Sequence, residues 1–83
     1  MYPVKAVSNT IDELHNARRK YPRNFASAHE GFAILREEVD ELWDAVKSKN
    51  DGTDATRTAR MRAEAVQVAA MAIRFIEDVC DGN

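Results

Sequence analysis

Closely spaced glutamates in the segment "REEVDEL" have the residue type and the spacing of a metal-binding site. Glu37, Glu38 and Glu41 fall within little more than one helical turn, where side chains three and four residues apart are neighbours. Like charges at this spacing repel one another and weaken an isolated helix by roughly 0.2–0.5 kcal/mol per pair. A divalent cation held between the carboxylates would replace repulsion with attraction, and such oxygen ligands suit Mg²⁺ or Mn²⁺.

A second polar pair lies in the apolar segment "MRAEAVQVAAMAIRF", where Glu64 is the one acid and Gln67 follows it by one helical turn. Burial of an ionised carboxylate is costly unless the group is paired or binds a metal. Two antiparallel helices would bring this pair opposite the glutamates of the first segment. The predicted metal ligands are Glu38, Glu41, Glu64 and Gln67. The alternative is a solvated acidic seam whose carboxylates form salt bridges with arginines such as Arg60 or Arg36.

The elements that must position these side chains are predicted to be three helices, with no strand. The predicted helices span about 10–21, 28–48 and 54–81. The segments "TIDE" and "SAHE" each have the spacing of a capping box, with Thr10 and Ser27 as the N-caps. Pro22 ends the first helix because its ring cannot donate to the helix ladder, and turn residues around Gly52 separate the other two. The chain is therefore predicted to be all-α and, at 83 residues, a single domain spanning 1–83.

The apolar residues of the second predicted helix define an inward face on a helical wheel. Glu38 and Glu41 fall on the border of this face, between core and water, while the capping box accounts for Glu30. Aromatic residues beside such a face are more often core than nucleobase-stacking groups. The predicted inward face comprises Leu35, Val39, Leu42 and Val46, flanked by Phe32 and Trp43.

The third predicted helix is apolar over more than half of its circumference, whereas a surface helix needs an apolar stripe only about 100° wide. Two shorter helices of one chain can hardly cover it, and its alanines would let another helix approach closely. We therefore predict that a second copy completes a helical bundle, as a homodimer or homotetramer. The apolar residues are Ala65, Val66, Val68, Ala69, Met71, Ala72, Ile73, Phe75, Ile76 and Val79.

Composition excludes several classes of protein. A formal charge of −2 argues against direct nucleic-acid binding, which normally needs a basic face. No apolar run approaches the ~20 residues that span a bilayer, and the first residues lack the apolar segment of a secretory signal. Cys80 is the only cysteine, so no disulfide forms within the chain. A cytoplasmic location is expected.

Taken in order, "EEVDEL" and "EAVQVAAMAIRF" resemble the all-α nucleoside triphosphate pyrophosphohydrolases of the MazG-like superfamily. That family carries Glu-x-x-Glu on one helix and Glu-x-x-Asp on the next. The match covers 27–79, and "KYPRNFASAHEGFAILREEVDELW" also resembles small stand-alone members that are often carried by phages. Glu38 and Glu41 match the first pair and Glu64 the second glutamate, but Gln67 stands where the family has aspartate. A neutral amide removes one negative charge and weakens Mg²⁺ binding, for which Glu37 would compensate.

The resemblance implies Mg²⁺- or Mn²⁺-dependent hydrolysis of a nucleoside triphosphate between its α and β phosphates, by a homodimer or homotetramer. Glu38, Glu41 and Glu64 would hold the metal, and Glu37 or Glu41 would accept a proton from the attacking water. The alternative function, favoured by Gln67, is a non-catalytic helical oligomer of the same scaffold that binds protein partners. Base and sugar preference stay open. His15 and His29 are expected at the surface, and the candidate phosphate contacts are Arg60, Arg62, Arg74 and Lys47.

Overall fold

Three α-helices make up the computed structural model, which describes residues 4–48 and 54–82. They are α1 (Val4–Lys20), α2 (Ala28–Lys47) and α3 (Asp54–Phe75), and α3 continues into a five-residue π-helical segment, Ile76–Cys80. The described residues contain no strand. Helix α3 is central, because it packs against both α1 and α2. The all-α, three-helix prediction is confirmed. Among these helices, none combines the length and apolar character needed to cross a bilayer.

The predicted start of the first helix is wrong, because α1 begins at Val4 rather than near Thr10. Thr10 is buried within the helix, and its Oγ1 donates a hydrogen bond to the carbonyl oxygen of Ala6 at 2.8 Å. A threonine hydroxyl bonded four residues back is satisfied inside a helix and no longer serves as a cap. The end of α1 is as predicted, since the helix stops at Lys20, two residues before Pro22.

The predicted capping box at the start of α2 forms with a small shift. Ser27 Oγ accepts a hydrogen bond from the Glu30 N–H at 3.1 Å, as expected for an N-cap. The carboxylate of Glu30 accepts from the N–H of Ala26 at 2.7 Å, one residue before the cap. This bond comes first among the causes that lower the pKa of Glu30, and Arg23 adds to it. Glu30 is therefore explained by the local structure, as the sequence indicates.

A small core joins the three helices. Leu14 of α1 packs with the buried residues Ala70 and Met71 of α3. Gly31 lies where α2 meets the other elements most closely. A Cβ atom at this position would be 2.8 Å from Phe75 Cδ2 and 2.9 Å from Phe25 Cδ2. The side chains packed around the core are Ala17, Phe25, Ile34, Leu35 and Ile73.

Helix α2 turns a different part of its apolar surface inward than predicted. Gly31 and Ala45 are the buried residues of this helix, and these small residues allow a close approach to the rest of the bundle. Of the residues expected to lie inside, Leu35 packs against the core and Leu42 is half-buried, but Val39 and Val46 are exposed. Phe32 and Trp43 are each 56% exposed. The exposed apolar stripe of α2 comprises Phe32, Val39, Trp43 and Val46.

Helix α3 keeps much of its broad apolar surface only partly covered. Ala70 and Met71 are buried, but Ile76 is about half exposed and Ala65 is exposed. The flanking apolar residues Val66 and Val68 are half-buried. Two helices of one chain therefore do not enclose the third, as the sequence indicates. A second copy of the chain as the cover stays a prediction.

Candidate functional site

The structure brings three of the predicted ligands into contact across the α2–α3 interface. The carboxyl group of Glu41 lies beside that of Glu38 on the same helix and beside that of Glu64 on α3, close enough for its charge to raise the pKa of each. Glu38 and Glu64 are half-buried, whereas Glu41 is exposed. We call Glu38, Glu41 and Glu64 the carboxyl cluster.

The surroundings of the carboxyl cluster disfavour the ionised state. Burial raises the pKa of Glu38, and the neighbouring charges of Glu41 and Glu64 raise it further. The pKa of Glu64 is raised by burial and then by Glu41, while the nearby Arg60 acts in the opposite direction. The cluster therefore concentrates negative charge that only a proton or a cation can neutralise.

Metal binding would need some rearrangement of these side chains. Across 4–48 and 54–82, no group of three or more His, Cys, Asp or Glu side chains is disposed to hold a metal ion. The carboxyl groups instead lie next to one another, with Glu41 beside both Glu38 and Glu64. Carboxylate oxygens with a nearby amide are nevertheless the donors that Mg²⁺ and Mn²⁺ prefer. The donor set fits a hard cation once the side chains turn toward a common point.

A cleft of about 760 Å³ opens beside the carboxyl cluster. Glu38 lines this cleft and so belongs to both the cleft and the cluster, whereas Glu41 and Glu64 lie outside the lining. Glu37 and Gln67 line the cleft as well. Its volume is within the range of about 300–1,000 Å³ usual for small-molecule sites. The predicted site residues thus divide between a cluster of carboxyl groups and one wall of an adjoining cleft.

Another part of the cleft wall carries residues that sequence reasoning did not assign to the site. Lys20, Tyr21 and Arg23 line the cleft from the end of α1 and the connection that follows it. Arg23 forms a salt bridge with Glu30 at 3.3 Å, although its side chain is 73% exposed. The available signal was the basic segment "RRKYPR", which by itself is typical of a solvated helix end.

A buried polar network ties this wall to the end of α3. Arg74 donates to the carbonyl oxygens of Tyr21 at 2.7 Å and Arg23 at 2.6 Å, and its guanidinium lies 4.8 Å from the centroid of the Phe25 ring. Asp78 Oδ2 accepts from the N–H of Phe25 at 3.0 Å and from Arg74 at 3.4 Å. Arg74 is therefore a structural anchor that holds the main chain of this wall, and its candidate role as a phosphate contact stays a prediction.

The carboxylate of Asp78 is the acceptor that holds this network together. Its side chain is 1% exposed, and its other oxygen accepts from Arg18 at 3.0 Å. Burial by itself would raise the pKa of Asp78, but the Phe25 N–H and the guanidinium groups of Arg18 and Arg74 outweigh burial and lower it. Arg18 also forms a salt bridge with Glu77 at 2.7 Å. The signal in the sequence that could have indicated this network is the spacing of Arg74 and Asp78, four residues apart near the end of an apolar helix.

The remaining polar candidates lie outside the cleft lining. His15 and His29 are exposed, as predicted. Lys47 forms a salt bridge with Asp44 at 3.5 Å, and its Nζ lies 5.6 Å from the centroid of a Trp43 ring. Arg62 is exposed. These positions add nothing to the cleft as candidate phosphate contacts.

No protein-family model, curated protein or solved structure matches this chain. The MazG-like resemblance therefore stays a hypothesis carried by the motif residues themselves. Those residues are the same ones that meet at the α2–α3 interface, with Gln67 in the adjoining cleft. Function is accordingly inferred from the site.

Proposed function

We propose that this chain is a MazG-like, metal-dependent nucleoside triphosphate pyrophosphohydrolase that converts a nucleoside triphosphate into a monophosphate and pyrophosphate. The observation that carries the proposal is the contact of Glu38, Glu41 and Glu64 from two helices. A nucleotide-sized cleft next to this contact supports it. Carboxylates gathered beside such a cleft are an expensive arrangement for a small domain, and a cationic ligand would offset the cost.

The residues of the carboxyl cluster would hold Mg²⁺ or Mn²⁺, and Gln67 would offer an amide oxygen from the cleft wall. When bound, such an ion neutralises phosphate oxygens and lowers the pKa of the attacking water. In the reaction the water oxygen forms a bond to the α-phosphorus. The bond between that phosphorus and the α–β bridging oxygen breaks, and the bridging oxygen leaves with pyrophosphate.

A carboxylate of the chain must take the proton that the water loses. Glu37 and Glu41 are the two candidates. Glu37 lines the cleft, whereas Glu41 lies outside the lining and is engaged with two other carboxyl groups. Since a general base must reach the proton that it removes, Glu37 is the better placed of the two. Glu41 is then a metal ligand only.

The enzyme is proposed to work as a homodimer or homotetramer. The apolar stripe of Phe32, Val39, Trp43 and Val46 on α2 is exposed in the single chain, and a second copy would remove this surface from water. A nucleotide substrate and a chain with one cysteine also fit a reducing, cytoplasmic setting. Direct nucleic-acid binding is not proposed, because the chain carries a formal charge of −2.

The second candidate function is a non-catalytic helical oligomer that binds protein partners. Gln67 favours it, because an amide replaces the fourth acid of the motif. Calorimetric titration with Mg²⁺ and with Mn²⁺ separates the two candidates. Binding that disappears in Glu38→Gln supports the enzyme, whereas no binding at millimolar metal refutes it.

The activity itself is tested with a panel of canonical and modified nucleoside triphosphates in the presence of Mg²⁺ or Mn²⁺, with pyrophosphate release as the readout. Turnover is expected for at least one triphosphate. It should be lost in Glu38→Gln and in Glu64→Gln while the oligomer persists by light scattering. Full turnover in both variants would refute the assignment of the carboxyl cluster.

A further inference from the structure

We infer that Lys20 and Arg23 form an anion subsite that holds the outer phosphates of a polyphosphate substrate in the cleft that Glu38 also lines. The inference rests on the proposed function and names the residues that would recognise the substrate. It begins from the position of both side chains in the lining of the same cleft as Glu37, Glu38 and Gln67. The ligand class is a linear polyphosphate, either free or as the triphosphate arm of a nucleotide.

Lys20 is the cation of the cleft without an acidic partner. Its Nζ lies 5.8 Å from the centroid of the Tyr21 ring, and within the described part of the chain it forms no salt bridge with a carboxylate. The neighbouring basic residues of α1 are engaged, since Arg18 binds Glu77 and Asp78 and Arg19 binds Asn16. Lys20 is thus free to contact an anion.

Arg23 adds a second cation that can turn toward the same ligand. Its salt bridge to Glu30 is long, at 3.3 Å, and largely exposed, so exchanging it for a phosphate costs little. Guanidinium groups bind phosphate oxygens through paired hydrogen bonds, which makes arginine well suited to this position.

The wall that carries both residues is held in place by buried contacts. Arg74 binds the carbonyl oxygens of Tyr21 and Arg23, and Asp78 binds the N–H of Phe25. These bonds go to the main chain, so they fix the backbone while leaving the side chains of Lys20 and Arg23 in the cleft. An anion therefore meets a prepared surface, and little ordering entropy is spent on binding.

The charges of the cleft lining predict that anion binding depends on metal. Acidic residues outnumber basic ones in the lining, and Arg23 and Arg74 already have carboxylate partners. A polyphosphate entering alone would meet Glu37 and Glu38 with only Lys20 free to offset the repulsion. Cations bound by the acidic residues would reverse this balance, so the two walls are expected to bind their ligands cooperatively.

The test is calorimetric titration of the full chain with inorganic tripolyphosphate, with and without Mg²⁺. Lys20→Ala/Arg23→Ala is compared with Lys5→Ala/Lys47→Ala, a control that removes the same two charges outside the cleft lining. We expect the cleft variant to weaken tripolyphosphate binding about tenfold or more in Mg²⁺, as for loss of one or two charge-assisted hydrogen bonds. The control should change it less than about twofold, and Lys20→Arg, which keeps the positive charge, should retain tripolyphosphate binding.

Unchanged tripolyphosphate affinity in the cleft variant overturns the subsite, provided that the variant keeps its helical circular dichroism. Retention of the fold is expected, because Lys20 and Arg23 are exposed and the anchors contact main-chain atoms. A separate titration with Mg²⁺ alone tests the proposed function. Failure of the unmodified chain to bind Mg²⁺ refutes the metal site. Normal Mg²⁺ binding with tripolyphosphate affinity insensitive to Lys20 and Arg23 refutes only the subsite.

Discussion

Replacement of Glu38 by glutamine is expected to stabilise the metal-free protein, because it removes a charge that its surroundings disfavour. Burial raises the pKa of Glu38, and so do the charges of Glu41 and Glu64. Glu37 acts in the same direction. The like charge of Glu41, three residues away on the same helix, costs roughly 0.2–0.5 kcal/mol, and the charge of Glu64 on the facing helix adds a similar amount, for a total of roughly 0.5–1 kcal/mol. In a domain of this size, 1 kcal/mol changes the Tm by about 4–8 °C.

Thermal unfolding followed by circular dichroism, at neutral pH with a chelator present, measures this effect. Asp12→Asn on the exposed surface of α1 is the matched control, since it removes one negative charge with no acid three or four residues away. We expect Glu38→Gln to melt several degrees above the unmodified chain and Asp12→Asn to differ little. A lower Tm for Glu38→Gln would refute the reasoning, because it would mean that the ionised carboxylate contributes stability.

Addition of Mg²⁺ should reverse the order of stability. A ligand that binds only the folded state stabilises it by RT ln(1 + [L]/Kd), which is about 2.7 kcal/mol at one hundred times Kd. The unmodified chain should gain this stability, whereas Glu38→Gln should gain little. Equal gains in both proteins would show that the added metal binds elsewhere.

The pH dependence of stability follows from the same carboxyl cluster. The folded-state pKa values of Glu38 and Glu64 lie above the ordinary value of 4.5. At a pH between the ordinary pKa and the raised pKa, the folded protein therefore binds more protons than the unfolded chain. Stability is therefore lost as the pH rises through that window. Asp78 acts oppositely, because its lowered pKa contributes stability above 3.8 that is lost in stronger acid.

Chemical unfolding of the metal-free chain across this range should therefore give a stability maximum near the ordinary pKa values of 3.8 and 4.5, with a decline on either side. Glu38→Gln should flatten the decline on the neutral side and leave the acid side unchanged. An unaltered decline in Glu38→Gln would contradict the raised pKa.

Three further predictions concern packing, the buried network and assembly. Gly31→Ala should destabilise the fold by roughly 1 kcal/mol in urea unfolding, because the overpacking cost exceeds the gain in helix propensity. The added Cβ would lie within 3 Å of two phenylalanine rings. A more stable variant would contradict this contact. Asp78→Asn should lower the free energy of unfolding by about 3 kcal/mol, because it leaves buried guanidinium charge unpaired. Asp81→Asn, at an exposed position, is the control. A decrease below about 1 kcal/mol would show that the network is dispensable. Trp43→Glu should reduce the mass measured by sedimentation equilibrium if the apolar stripe of α2 is an interface, and an oligomer of unchanged mass would place the interface elsewhere.

Local interactions explain which features of this fold were predictable. The starts and ends set by Ser27 and Pro22 depend on atoms within a few residues, so sequence spacing identifies them. Thr10 shows the limit of the same reasoning. Its hydroxyl could accept from a main-chain N–H later in the chain, as an N-cap does, or donate to a carbonyl oxygen one turn earlier. In the structure it donates to the earlier carbonyl, that of Ala6.

The orientation of α2 could not be predicted from apolar periodicity alone. Its apolar residues cover a broad arc, and the wheel places the centre of that arc at the larger side chains. Close packing instead selects the side that carries Gly31 and Ala45, since small residues let the helices approach. Phe32 and Trp43 are exposed for this reason.

The amino-acid sequence by itself determined three helices, their main boundaries and the acids available for a site, because these depend on spacing along one chain. Tertiary packing alone decided that Lys20 and Arg23 line the same cleft as Glu38. It also decided that Asp78 binds the N–H of Phe25, 53 residues away. Contacts between distant residues depend on how helices rotate and approach one another, and no local rule of spacing specifies either.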